Sequence, residues 1–173
     1  MSPQADVHRK AQEYVAGRDV VALLAELPAK LEAAIKGLDF KTRHCPEAVG
    51  KWSIHDVVTH LADCEVVYRF RMRVIAAEHE PTLQPFDENA FAARLHYGET
   101  PLEESLAVLQ TLRAANVRWL KTLKPDDMAR AAQHPERGRE TLRDVATLIA
   151  WHDARHLAQI ARIRAGFLGG VGA

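Results

Sequence analysis

Trp151-His152-Asp153-Ala154-Arg155-His156 sets two histidines one helical turn apart. With Leu142, Val145, Ile149, Ile160 and Ile163 taken as one stripe at about 100° per residue, both histidines fall near its middle. Imidazoles on a buried face must be satisfied by hydrogen bonds or by a metal ion. Spacing alone leaves both readings open, because short motifs also match by chance.

A metal needs a third ligand. Of the nine histidines, His8, His44, His79, His96 and His134 lie near element ends or in loops, and His55 points away from the apolar stripe of its helix. His60 sits in the middle of that helix, at the edge of its apolar face, one turn from Asp56 and Cys64. A mid-helix histidine can meet His-x-x-x-His on a neighbouring helix, so the expected ligands are His60, His152 and His156. Three neutral imidazoles leave a position on a divalent ion for water or substrate; on zinc, such a water has its pKa lowered towards about 7. Nitrogen ligands do not by themselves select zinc over nickel, iron or manganese. Positions 153–155 are Asp-Ala-Arg, so the motif carries no general base of the His-Glu-x-x-His kind.

Other side chains compete for roles around such a site. Arg113 and Asn116 project to the same side as Leu106, Leu109 and Leu120, and Glu65 sits near the core face of the His60 helix. One reading has Arg113 binding an anionic substrate group and Glu65 acting beside the metal; the other, favoured, has a structural Arg113–Glu65 pair. Asp153 is a weaker candidate to orient or line the site. Cys64 reads as a small buried filler more than a ligand. Trp52 and Trp119 read as packing aromatics, Trp151 as a pocket wall, and His134 as a loop-structuring residue or one that reaches the pocket.

Helices must position these residues. Val20, Leu23, Leu24, Leu27, Leu31, Ala34, Ile35 and Leu38 recur at three and four, with Pro28 predicting a kink or break. A second helix starts at Ser53-Ile54-His55-Asp56 and carries the stripe Ile54, Val57, Val58, Leu61, Tyr68, Met72, Ile75. A third starts at Thr100-Pro101-Leu102-Glu103, with Thr100 as cap and Pro101 at the first helical position. The fourth starts at Thr141 and runs to about Gly166. No segment alternates like a strand. The expected fold is all-α, a four-helix bundle. The stretch from Glu80 to Glu99, with a short helix around Asp87–Arg94, is long enough to cross the bundle and cover one end of its core. The expected division is an N-terminal segment at 1–18, helical in part, a bundle at 19–166, and a flexible Gly-rich tail at 167–173.

Composition excludes several classes. Lys+Arg and Asp+Glu are 23 each over 173 residues, a formal net charge of zero. That is neither the basic footprint of a nucleic-acid binder nor the polybasic flank of a membrane protein. No apolar run approaches the roughly 20 residues that span a bilayer. Cys45 and Cys64 match no disulfide or zinc-ribbon spacing, and the N-terminus lacks the order of a signal peptide, so the expected compartment is the cytoplasm.

Lys51-Trp52-Ser53-Ile54-His55-Asp56-Val57-Val58-Thr59-His60-Leu61-Ala62-Asp63-Cys64-Glu65 resembles the second-helix signature of the DinB/YfiT-like superfamily. His134-Pro135-Glu136-Arg137-Gly138-Arg139-Glu140-Thr141-Leu142, followed by His152-x-x-x-His156-Leu157-Ala158-Gln159-Ile160, resembles its last loop and helix. The resemblance covers roughly 19–165. It implies an up-down-down-up bundle with a long crossover between the second and third helices. It also implies a homodimer, and a divalent metal on three histidines that match His60, His152 and His156. Relatives include enzymes that use low-molecular-weight thiols and others regarded as metal-dependent hydrolases. The expected function is therefore a metal-dependent enzyme acting on a small molecule, by thiol transfer or hydrolysis, with no nucleic-acid or membrane partner. The alternatives are a metal-binding stress or interaction protein with little catalysis, and a helical dimerisation module with structural histidines.

Overall fold

A computed structural model of the protein describes residues 3–169. Its order is α1 (Pro3–Val15), α2 (Val20–Ile35), α3 (Phe40–His44), α4 (Ile54–Ala77), α5 (Glu88–Arg94), a 3₁₀ turn (Tyr97–Glu99), α6 (Leu102–Leu120), α7 (Pro125–Ala129), a hairpin β1 (Ala131–His134) and β2 (Gly138–Thr141), and α8 (Leu142–Gly169). The long helices α2, α4, α6 and α8 form an up-down-down-up four-helix bundle. Each of α4 and α2 packs on both α6 and α8, so neighbours around the bundle run α2, α6, α4, α8. Helix α1 lies against α8, giving the N-terminal segment a packed helical form.

Both helices that carry the histidines begin with the same device. Ser53 Oγ accepts from the Asp56 N–H at 3.1 Å while Asp56 Oδ2 accepts from the Ser53 N–H at 2.9 Å. Thr141 Oγ1 and Asp144 Oδ2 repeat the exchange at the start of α8, at 3.1 and 2.9 Å. These reciprocal caps satisfy first-turn amides that have no partner inside the helix. They fix the phase of α4 and α8, and hence the direction in which His60 and His152 point.

Four sequence expectations are corrected. Pro28 does not break α2, which runs through it to Ile35 and stops short of Leu38. Thr100 does not cap α6; the cap position is Pro101, without a side-chain hydrogen bond, and the Thr100 carbonyl instead accepts from His55 Nε2 at 2.8 Å. Strands do occur: β1 and β2 pair antiparallel with Ala131 opposite Thr141 and His134 opposite Gly138. Four-residue strands are too short to show alternation, and the turn is closed by Gly138 at φ +78°, a left-handed conformation that suits glycine. Finally, α8 continues through Gly169. Of the expected tail, positions 170–173 lie outside the described residues.

The crossover from α4 to α6 is stitched to the hairpin. Leu83 N–H donates to the Gln133 carbonyl and Gln133 N–H to the Pro81 carbonyl, each at 2.8 Å. The apolar core itself divides in two. One part holds Leu24, Met72, Val117 and Ile149; the other holds Leu27, Ile54, Leu109 and Ile160. On α2 and α4 the division falls between neighbouring core turns, and on α6 and α8 a longer interval separates Leu109 from Val117 and Ala150 from Ile160. The gap on α4, α6 and α8 is filled by buried polar side chains: His60 and Glu65, Arg113, and His152 and Asp153. Among the described residues, no helix is long and apolar enough to cross a membrane.

Candidate metal centre

His60 on α4 is fully buried and His152 on α8 nearly so. The two Nε2 atoms lie 3.1 Å apart, and His156 Nε2 lies 3.1 Å from the same atom of His152. Burial pushes all three imidazoles down: His60 to about 3, His156 to about 4, and His152 well below its usual value. They are neutral at pH 7 and carry lone pairs. His156 Nδ1 donates to Gln159 Oε1 at 2.9 Å, which leaves the lone pair on Nε2, the atom that faces His152.

This geometry fits a cation. A proton bridging His152 Nε2 to one neighbour leaves the other 3.1 Å contact without one, whereas an ion accepts all three lone pairs. Metal–nitrogen bonds of about 2.0–2.1 Å, opened by tetrahedral to octahedral angles, put adjacent nitrogens about 2.8–3.4 Å apart. His152 Nδ1 is buried without a hydrogen-bond partner, so no neighbouring acceptor dictates which ring nitrogen carries its proton.

The set whose ligand atoms all lie within 4.8 Å of one another is His60, Cys64 and His152, and His156 joins it through its 3.1 Å contact with His152. Cys64 Sγ is 3.5 Å from His60 Nε2. Burial, reinforced by the negative charges of Glu88 and Asp153, holds the thiol protonated well above its usual range. His156, by contrast, is neutral and anchored through its other nitrogen.

The remaining expected residues form a different structure. Arg113 Nε donates to Glu65 Oε1 and Arg113 Nη1 to Asp153 Oδ2, each at 2.6 Å. Asn116 Nδ2 occupies the other Glu65 oxygen at 3.1 Å, and Arg113 Nη2 the other Asp153 oxygen at 3.2 Å. Burial raises both carboxyl pKa values against the pull of Arg113, since two carboxylates share one cation. Glu65, Arg113 and Asp153 thus pair with one another beside the histidines, the structural alternative weighed above. His134 Nδ1 accepts from the Glu136 N–H at 3.2 Å, which organises the hairpin turn.

Three neighbours of the site lay outside the expected set. Trp52, expected only to pack, has its ring 4.6 Å from His60 and 6.2 Å from His156, forming a wall. Tyr68, one of the apolar stripe, has its ring 6.1 Å from His152. Glu88 on α5 lies near enough to Cys64 and Tyr68 to act on both electrostatically, and burial raises its own carboxyl. Trp52 precedes the cap of α4, a position that could have flagged it; Glu88 opens α5 in the crossover, and its sequence does not show which part of the bundle it meets. A cavity of about 960 Å³ lies between α4 and the crossover, and none of the three histidines lines it.

The sequence places this helical bundle in a known family. The chain belongs to the DinB superfamily, whose model matches residues 19–160. It is 34% identical over 141 residues to a Bacillus mycoides protein named "Putative metal-dependent hydrolase", covering 82% of this chain and 81% of that one. A Bacillus anthracis protein of the same name is 33% identical over the same coverage. Among solved structures, it resembles Bacillus subtilis YfiT, described as "a probable metal-dependent hydrolase with an unusual four-helix bundle topology". The TM-score is 0.81 at 29% identity, covering 86% of this chain and 85% of YfiT.

Proposed function

We propose that this protein is a divalent-metal-dependent hydrolase of a small molecule, with the metal on His60, His152 and His156. The observation that carries the reading is the run of three neutral imidazoles joined by 3.1 Å contacts inside the bundle. A divalent ion so held supplies Lewis acidity and an acidified water, whether it is zinc, nickel, iron or manganese. Trp52 walls the site and limits water. Glu88 is the acid–base group of the proposal, its carboxyl raised by burial against the opposing pull of the Arg155, Arg137 and Arg71 charges. The Glu65–Arg113–Asp153 cluster holds α4, α6 and α8 in register. The working unit is residues 19–166 with the N-terminal segment docked on it, acting in the cytoplasm as a homodimer, without nucleic-acid or membrane partners.

Transfer of a low-molecular-weight thiol would use the same open position, and one experiment separates the two. Ester and amide turnover is measured on metal-loaded protein with and without added thiol, beside the His152→Ala/His156→Ala variant. Hydrolysis gives metal-dependent turnover indifferent to thiol and absent from the variant. Turnover only with thiol moves the assignment to thiol transfer, and metal binding with no turnover leaves a metal-binding protein.

A further inference from the structure

Two buried arginines in this bundle have opposite surroundings. Arg113 is enclosed by two carboxylates. Arg71, on α4 and only 4% exposed, has no carboxylate within ion-pair distance among the described residues. Its Nη2 donates to the Gln84 carbonyl at 2.5 Å, and its Nε is buried with no partner at all. The guanidinium lies 5.4 Å from the Phe86 ring and 5.7 Å from the Tyr68 ring. A buried cation without a counter-charge is costly, and proteins compensate it by pairing.

The pairing space is the cavity of about 960 Å³, which Arg71 lines. Its walls are largely apolar: Val67, Phe70, Val74, Leu83, Phe86 and Phe91. Two acidic residues line it, and Glu140 and Glu88, which do not, act with Arg71 only at longer range. Asp87 caps α5 through the amides of Asn89 and Ala90, and Glu78 is exposed to solvent. A pocket of this size and lining suits a molecule with an apolar body and one charged end.

We propose that the space between α4 and the crossover binds a small amphiphilic anion, an apolar chain or ring ending in a carboxylate, with Arg71 receiving the carboxylate and the cavity the apolar part. Arg71 lines the cavity and its buried Nε has no partner; a small shift of the side chain would bring this planar, charged group onto carboxylate oxygens, which it suits. The site is separate from the three histidines and does not depend on their metal.

The test uses the full chain with two fluorescent probes of similar shape, anionic anilinonaphthalenesulfonate and neutral N-phenyl-1-naphthylamine, and with decanoate and decanol as competitors. The expected result is saturable one-to-one binding of both probes, with decanoate displacing them better than decanol. Arg71→Met should weaken the anionic probe about tenfold or more and the neutral probe less than about twofold. Ala90→Trp, which fills the cavity and leaves Arg71 in place, should weaken both. Repeating the titration on the His152→Ala/His156→Ala variant should change neither affinity, so the result stands apart from the hydrolase reading. Equal losses for both probes in a folded Arg71→Met protein would overturn the proposal and leave Arg71 as a latch on Gln84. Absence of binding to wild type, or binding that Ala90→Trp leaves intact, would overturn it as well.

Discussion

Arg113 Nη1 donates to the carbonyl of Leu24 at 3.0 Å. Pro28, four residues further along α2, has no N–H to fill that acceptor, so a side chain from α6 completes the hydrogen bonding of its neighbour. The same guanidinium binds Glu65 of α4 and Asp153 of α8. One buried residue therefore ties all four bundle helices together. Arg113→Met should lower stability by about 3–5 kcal/mol, because two carboxyl groups and a carbonyl lose their partner. Urea unfolding at pH 7 measures this; a loss below about 1 kcal/mol would mean that water replaces the arginine. Adding Pro28→Ala should recover about 1 kcal/mol more in that variant than in wild type, since the new amide has a vacant acceptor only there.

Metal removal tests the three histidines by a readout other than activity. An ion present at about a thousand times its dissociation constant contributes about 4 kcal/mol. For a chain of this size, chelation should then lower Tm on the order of 10 °C. His60→Ala protein should melt at one temperature with or without chelator. A wild-type Tm that chelator and added zinc, nickel, manganese or iron all leave unmoved would remove the metal from the proposal.

Acidification should weaken the metal-free protein in a window set by the imidazoles. His60 and His156 titrate near 3 and 4 when folded and near 6.5 when unfolded. Between those limits the unfolded chain holds more protons, so stability falls as pH drops below about 6.5, by about 1 kcal/mol per pH unit for each histidine. Glu65 and Asp153, whose folded pKa values are raised, act with the opposite sign. The informative quantity is therefore the difference in slope between wild type and His60→Gln, followed by urea unfolding from pH 7 to pH 5. Identical slopes would mean that His60 is not held neutral by burial.

The bundle was legible because its signals are periodic. Caps at Ser53 and Thr141 set the phase of α4 and α8, and the stripes through Leu61 and Ile149 lie in the core. His60 and the His152/His156 pair stood out as polar residues inside those stripes. The hairpin was not legible, because Ala131–His134 is too short for a period to show. Nor was the fate of Pro28: a sequence shows the missing amide but not the arginine 85 positions away that compensates for it. Arg71 carried a signal that passed unread. It lies eleven residues after His60, three helical turns on, and so on the same face of α4. Glu88 carried none, since only folding of the crossover brings it near Cys64.

That position makes Glu88 the sharpest test of the chemistry. Glu65 has both oxygens occupied, by Arg113 and Asn116, and is poorly placed to take up a proton. Glu88 is half-buried, makes no such pair among the described residues, and has its carboxyl raised by burial towards the range where a general base works well. Once a substrate is in hand, Glu88→Gln should lower kcat about a hundredfold or more, with KM and metal content nearly unchanged. It should also abolish the acid limb of the kcat/KM profile, since the base is active only above its pKa. Glu65→Gln should do the reverse, costing stability through the Arg113 cluster while most of kcat survives in the folded fraction. If instead Glu88→Gln keeps its rate and acid limb while Glu65→Gln loses both, the proton is handled on the α4 side of the site, and Glu88 serves only to hold the crossover in place.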